Sequence, residues 1–242
     1  MRAAFALLVF LTGPALAVVK GQVEPTLATQ AVMVLGSKGS FCSAVILSRT
    51  VLLTAAHCVT GSPDYRVHWR DRDGQPVLHE PKAIAIHPGY AKGAEKNRKR
   101  SIDLAMIQLK EPLPETFRAA TLASTSPRQG DALIVAGYGL STEQDPRTGG
   151  VFRAARLQVI EPFGPSSILL WLTDPTTGRT QAGSGACTGD SGGPILDQAG
   201  SLVAITVYAE GVGKAQCGAL TQGLLIAPQR GFIEATLKRW GA

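Results

Sequence analysis

Three short segments of this 242-residue chain carry side chains that could do chemistry together: TAAHC with His57, SIDLAMIQL with Asp103, and GACTGDSGGPI with Ser191. A serine hydroxyl is a poor nucleophile until a base takes its proton. Hydrolysis by serine therefore needs a histidine within hydrogen-bond reach and a buried acid to orient that histidine. Each segment alone also has an ordinary reading. Serine in a glycine-rich loop commonly marks only a bend, and an aspartate opening a strand commonly caps a turn.

The surroundings of the candidates separate them from their neighbours. His57 stands at the end of an apolar strand beside Cys58, with small Thr54, Ala55 and Ala56 before it. Close packing there would hold its backbone rigidly, which a general base requires. Asp103 opens a strongly apolar run, where an isolated charge is costly and a partner such as an imidazole N–H is needed. His68, His79 and His87 fall in a polar strand, a proline-rich loop and a His-Pro-Gly turn, and read as structural.

The elements that must position these groups are mostly short strands. FCSAVILS, TVLLTAA, YRVHW, PKAIAIH, LAMIQL, ALIVAG, ARLQVI, SILLWL, LVAITVY and GLLIA are β-branched or alternating runs separated by Gly, Pro, Asp and Ser. That is the signature of an all-β barrel or sandwich. Phe232, Ile233, Leu237 and Trp240 instead fall at helical spacing with Gly241 just beyond, which predicts one helix over about 229–240. The weakly patterned stretch 119–130 could join two halves of similar size. With 45% apolar and 17% charged residues, 27 glycines and 15 prolines, disorder and long helical arrays are both excluded.

Residues 1–17 read differently. Met1 and Arg2 give a basic start, 3–11 are apolar, and Ala15-Leu16-Ala17 is a small-x-small cleavage site, as in a secretory signal peptide. The run is shorter than the ~20 residues a membrane span needs. Removing it takes Arg2 alone from the net charge of +6, leaving +5. Much of that excess is KNRKR, with Lys96, Arg98, Lys99 and Arg100, which reads as a solvated loop or a weak polyanion-binding patch. No aromatic residues interleave with it, so nucleic acid is not an expected partner. The four cysteines, Cys42, Cys58, Cys187 and Cys217, lack metal-ligand spacing, and in an exported chain they favour disulfides in one of three pairings.

TAAHC, DLAMIQL and GDSGGP, in this order and 46 and 88 residues apart, resemble the His, Asp and Ser boxes of the trypsin-like, chymotrypsin-fold serine proteases. FCSAVILS, IHPGY, VAGYGLS and the final helix extend the resemblance over the whole mature chain. It implies two six-stranded antiparallel β-barrels, about 18–122 and 123–228, with the active site between them and a C-terminal helix. It implies His57 as base, Asp103 as orienting acid and Ser191 as nucleophile, with the N–H groups of Gly189 and Ser191 at the developing oxyanion. It further implies the disulfides Cys42–Cys58 and Cys187–Cys217, polypeptide substrates and no cofactor or metal. A DRDG turn at 71–74 has its glycine too early for a calcium loop and reads as a hairpin turn. A catalytically silent binding protein on the same fold is the competing reading, and the presence of all three reacting residues argues against it.

Departures from the family bear on specificity and activation. Six residues before the nucleophile, where an aspartate would select Lys or Arg, this chain has Gly185, with Ala186 beside it and Gly223 expected to face it. Val207, Tyr208 and Ala209 take the place of the family's Ser-Trp-Gly along the cleft, and a one-residue shift would put Thr206 at the serine. Apolar residues are therefore expected before the scissile bond. The family's new N-terminus, Ile-Val-Gly-Gly, is matched by Val18-Val19-Lys20-Gly21 directly after the predicted cleavage site, and its buried partner by Asp190.

Overall fold

Short apolar runs punctuated by glycine and proline turns fold into two curled antiparallel sheets in a computed structural model, which describes residues 18–93 and 100–242. Strand β1 (Gln22–Val23) and the single turn α1 (Pro25–Ala28) precede the first sheet. That sheet contains β2 (Ala31–Gly36), β3 (Phe41–Ser48), β4 (Val51–Thr54), β5 (Tyr65–Arg70), β6 (Pro76–His79), β7 (Pro81–Ile86) and β8 (Ala105–Leu109). The second has β9 (Ala132–Gly137), β10 (Arg153–Ile160), β11 (Leu169–Thr173), β12 (Pro194–Leu196), β13 (Leu202–Glu210) and β14 (Leu220–Leu225).

The second sheet closes on itself. Its order is β10-β11-β14-β13-β12-β9, β9 pairs back onto β10, and β1 adds to the outside of β10. Six strands thus make a barrel with no free edge, the arrangement that removes unpaired backbone groups. The first sheet runs β6-β5-β2-β3-β4-β8-β7. Its two edge strands are one bent segment interrupted only at Glu80, with β6 on β5 and β7 on β8. Counted as one strand, they make this a six-stranded ring that the chain itself closes.

The strands form where the side chains can be buried on both sides of the curl. Val51, Leu52, Leu53, Met106 and Ile107 on neighbouring β4 and β8 are all 0% exposed, each contributing roughly 2 kcal/mol of apolar burial. The C-terminal helix α2 (Arg230–Trp240) packs back onto this first half: Ile233 joins its core, Phe232 stacks edge-on against His87, and Gln108 Nε2 donates to the Trp240 carbonyl. Gly241, at φ 67°, ends the helix. The opposite end of the chain is bound to the other half, since β1 pairs with β10 and Val19 bridges Gly185.

Both disulfides are present, Cys42–Cys58 within the first half and Cys187–Cys217 within the second. The first closes a 16-residue separation, a constraint of about 3 kcal/mol on the unfolded chain. DRDG is a plain hairpin turn between β5 and β6, with the Asp71 carboxylate accepting the N–H groups of Asp73 and Gln75.

Candidate active site

His57 is delivered by the end of β4. After Thr54 the chain makes a 3-10 turn over Ala56–Val59, with Ala55 and Ala56 fully buried and Cys58 bonded to Cys42 on β3. The histidine therefore projects from a backbone packed beneath and tied at its side. Asp103 lies just before β8, between Ile102 at 8% and Leu104 at 0% exposure.

The two residues meet through two bonds. The Asp103 carboxylate accepts the His57 backbone N–H on one oxygen at 2.9 Å and approaches His57 Nδ1 with the other at 2.6 Å. An ionised carboxylate only accepts, so Nδ1 carries the proton and Nε2 presents a lone pair. Nε2 lies 3.7 Å from Cys58 Sγ, and the same sulfur lies 3.7 Å from the Ser191 carbonyl oxygen. No hydrogen bond joins Ser191 Oγ to Nε2 among the described residues. Cys42, His57 and Cys58 also form a cluster of metal-ligand types, but both sulfurs are consumed by the disulfide.

Ser191 sits in a loop whose glycines have steric reasons. Gly189 has φ +96°, and a Cβ there would overlap the Phe41 ring; Gly192 has φ +78°, and a Cβ there would overlap Thr54 Oγ1 and the Ser43 carbonyl. The N–H groups of Gly189 and Ser191 donate to no acceptor among the described residues, while the carbonyls around them are all engaged. Two unsatisfied donors beside a hydroxyl are what a developing oxyanion needs.

Asp190, between them, is 0% exposed and accepts the N–H groups of Gly139 at 2.8 Å and Cys187 at 2.9 Å. Burial pushes its carboxyl up to about 7 against the pull of those two donors and of the Arg153 charge. Val18 is also 0% exposed, and Val19 exchanges backbone bonds with Gly185, which brings the segment beside the Asp190 loop. No hydrogen bond joins the Val18 nitrogen to Asp190 among the described residues, and in the intact chain that nitrogen is an amide. Lys20, where the family motif has glycine, is held at φ 57°, an uncommon conformation for an L side chain.

The chain from residue 18 to residue 223 matches the protein-family profile described as Trypsin. It belongs to the trypsin family. This trypsin-family chain is 29% identical to human kallikrein-15 over 66% of its own length and 68% of the relative's, and 30% identical to Drosophila melanogaster trypsin zeta over 64% and 60%. Human kallikrein-4 is 29% identical over 74% of this chain and 69% of its own. In fold it resembles mouse neuropsin, a serine protease, with a TM-score of 0.72 and 20% identity over 90% of this chain and 99% of that one. Its reaction is that of a serine endopeptidase, and its substrates are polypeptides.

Within this trypsin-family fold, Gly185 and Ala186 are buried next to one another, but Gly223 does not face them. A Cβ at Gly223 would meet Ile195 and Ala204 in the second barrel's core, because strand pairing sets it opposite Thr206 and turns it inward. Gly218 and Thr221 take that place instead: a Cβ at Gly185 would lie 3.1 Å from Gly218 Cα and 3.4 Å from Thr221 Oγ1, which also accepts the Ala186 N–H. The sequence held a signal for Thr221 only through cross-strand register, which spacing from Cys217 does not fix.

Register along β13 is settled by the same pairing. Thr206 pairs with Gly223 and Tyr208 with Gln222, so Val207 is the extra residue of a bulge. Thr206 is 1% exposed and exchanges backbone bonds with Gly192 and Gly193, while Tyr208 is 47% exposed and Ala209 half-buried. The buried hydroxyl beside the Ser191 loop is therefore Thr206, and Tyr208 is the exposed side chain that follows the bulge. Of the basic run, Arg100 is exposed, whereas Lys96, Arg98 and Lys99 lie outside the described residues, as does the expected signal segment 1–17.

Proposed function

We propose that Ser191, His57 and Asp103 carry the peptide-bond hydrolysis of this chain. The observation that supports the reading most directly is the pair of bonds by which Asp103 holds both the backbone and the ring of His57, leaving Nε2 as base. Nε2 takes the Ser191 proton as Oγ forms a bond to the substrate carbonyl carbon, and the N–H groups of Gly189 and Ser191 receive the oxyanion. The tetrahedral adduct collapses, the C–N bond breaks, and His57 gives its proton to the leaving amine. Water then enters, loses a proton to His57 and attacks the acyl-enzyme, and the released Oγ regains the proton as the acid product leaves. Hydrogen bonds of this kind are commonly long in an unliganded site and tighten with substrate, consistent with the open Ser191 to His57 geometry.

Specificity follows from the walls. Gly185, Ala186, Gly218 and Thr221 offer no charge to a basic side chain, which would be buried unpaired. The Asp174 carboxylate, which accepts the Ser184 N–H beside this loop, is already occupied. Burial would raise it, but the Ser184 N–H and the Thr176 hydroxyl and N–H outweigh burial and hold it at about 2. Thr221 fills space beside Gly185 and shortens the pocket, so small and medium apolar residues such as Ala, Val and Leu are favoured. Export is part of the same reading, supported by the sequence of residues 1–17 and the two disulfides.

A peptide-library cleavage profile of the protein beginning at Val18, run with and without a serine-directed phosphonate, tests both parts. Cleavage after Ala, Val or Leu, abolished by the phosphonate with its mass added at Ser191, is the expected result. A profile dominated by Arg and Lys overturns the specificity, and cleavage that survives the phosphonate overturns the mechanism.

A further inference from the structure

Ser43 is 0% exposed on β3, next to the disulfide cysteine Cys42, and it reaches across to the nucleophile loop twice. Its backbone N–H donates to the Ser191 carbonyl at 2.8 Å. Its hydroxyl donates to the Gly189 carbonyl at 2.9 Å while accepting the Tyr138 N–H at 2.9 Å. With Tyr138 on the acceptor side, the hydroxyl proton is directed at Gly189. The Ser43 carbonyl in turn accepts Thr54 Oγ1 at 2.8 Å, three residues before His57. One residue thus ties the strand that delivers the histidine to the loop that delivers the serine.

A trans peptide points its C=O and N–H in opposite directions, so fixing a carbonyl aims the N–H of the same unit. The carbonyl of Thr188 is held by Leu140 N–H at 2.8 Å and that of Asp190 by Gly193 N–H at 2.8 Å, which sets the N–H groups of Gly189 and Ser191. The peptide between those two units is the Gly189–Asp190 linkage, and glycine is the residue least able to resist rotation there. Its carbonyl is the one Ser43 Oγ holds. Resting on the serine mechanism proposed above, we propose that Ser43 is a positioning residue, whose hydroxyl locks the Gly189–Asp190 peptide and thereby keeps both oxyanion-binding N–H groups converged.

Ser43→Ala in the protein beginning at Val18 tests this, with active sites counted by phosphonate titration. Per titrated site, kcat is expected to fall about tenfold, less than the 10²–10³ of losing an oxyanion donor outright, with KM changed by less than about twofold. Inhibition by a peptidyl trifluoromethyl ketone, which forms the tetrahedral oxyanion with Ser191, is expected to weaken by the same factor. Ser43→Thr, which restores the hydroxyl, is expected to recover most of the loss. An unchanged kcat per titrated site, or a loss lying wholly in KM, overturns the inference. Should Ser43→Ala not accumulate as folded protein, Ser43→Cys, a weak donor of similar shape, is read by the same two outcomes. A wild-type protein that the phosphonate does not label at Ser191 is a distinct result, which overturns the mechanism and this inference together.

Discussion

Ser191→Ala is expected to lower kcat by roughly 10⁵–10⁶-fold while the protein stays folded, because it deletes the hydroxyl without adding volume. The serine is half-buried at the surface of its loop, and the bonds that shape the loop run through backbone atoms, the Ser43 hydroxyl and Asp190, none of which the substitution touches. His57→Ala is expected to fall to a similar floor, and the double variant to lose little more, since on the proposed mechanism the nucleophile depends on its base. Steady-state kinetics beside thermal unfolding of the same samples provide the check. Near wild-type turnover in Ser191→Ala removes the mechanism; a collapse of unfolding temperature with the activity moves the effect to folding.

The second large effect belongs to the N-terminus. We propose that Val18, once a free amine, gives the buried Asp190 a cation to meet and so holds the Gly189 to Ser191 loop in working order. One additional residue before Val18 turns the amine into an amide and fills space in a fully buried position, so kcat/KM is expected to drop by about 10²–10³. Stability changes with pH in a sense that can be derived. In the chain whose residue 18 is an amide, the Asp190 carboxyl is pushed up to about 7 from an ordinary 3.8, so between those values the folded protein holds a proton that the unfolded chain has released. Unfolding is then favoured as pH rises from about 4 to 7, by at most roughly 4 kcal/mol, and the free Val18 ammonium removes that loss by favouring the carboxylate. Unfolding midpoints of the two forms at several pH values should therefore diverge towards neutrality. Full activity in an extended protein, with its extra residue verified by mass, removes the Val18 to Asp190 pairing as the switch.

What could be read from the sequence was what local pattern and ordered motifs encode. FCSAVILS and ALIVAG coincide with β3 and β9 because each is a complete apolar run between turn residues, and the helix was marked by its spacing and by Gly241. The short strands β6 and β12 escaped because four and three residues are too few to show a period. His57, Asp103 and Ser191 were legible through their order and neighbours. The pocket was legible only in part. Which residue faces Gly185 depends on how β13 and β14 pair, and a bulge at Val207 changes that pairing without leaving any mark in composition. Ser43 was invisible for a similar reason. Its partner Gly189 lies 146 residues away, in a loop between β11 and β12 of the other half.

The two ends of the described chain clasp opposite halves, the first residues on the second barrel and α2 on the first. Synthesis makes these segments appear in order, residues 230–240 after His57, Asp103 and Ser191. A growing chain that already carries His57, Asp103 and Ser191 still lacks Ile233 from the core that supports the histidine. The core beneath the histidine is therefore complete only once α2 has been made and has packed.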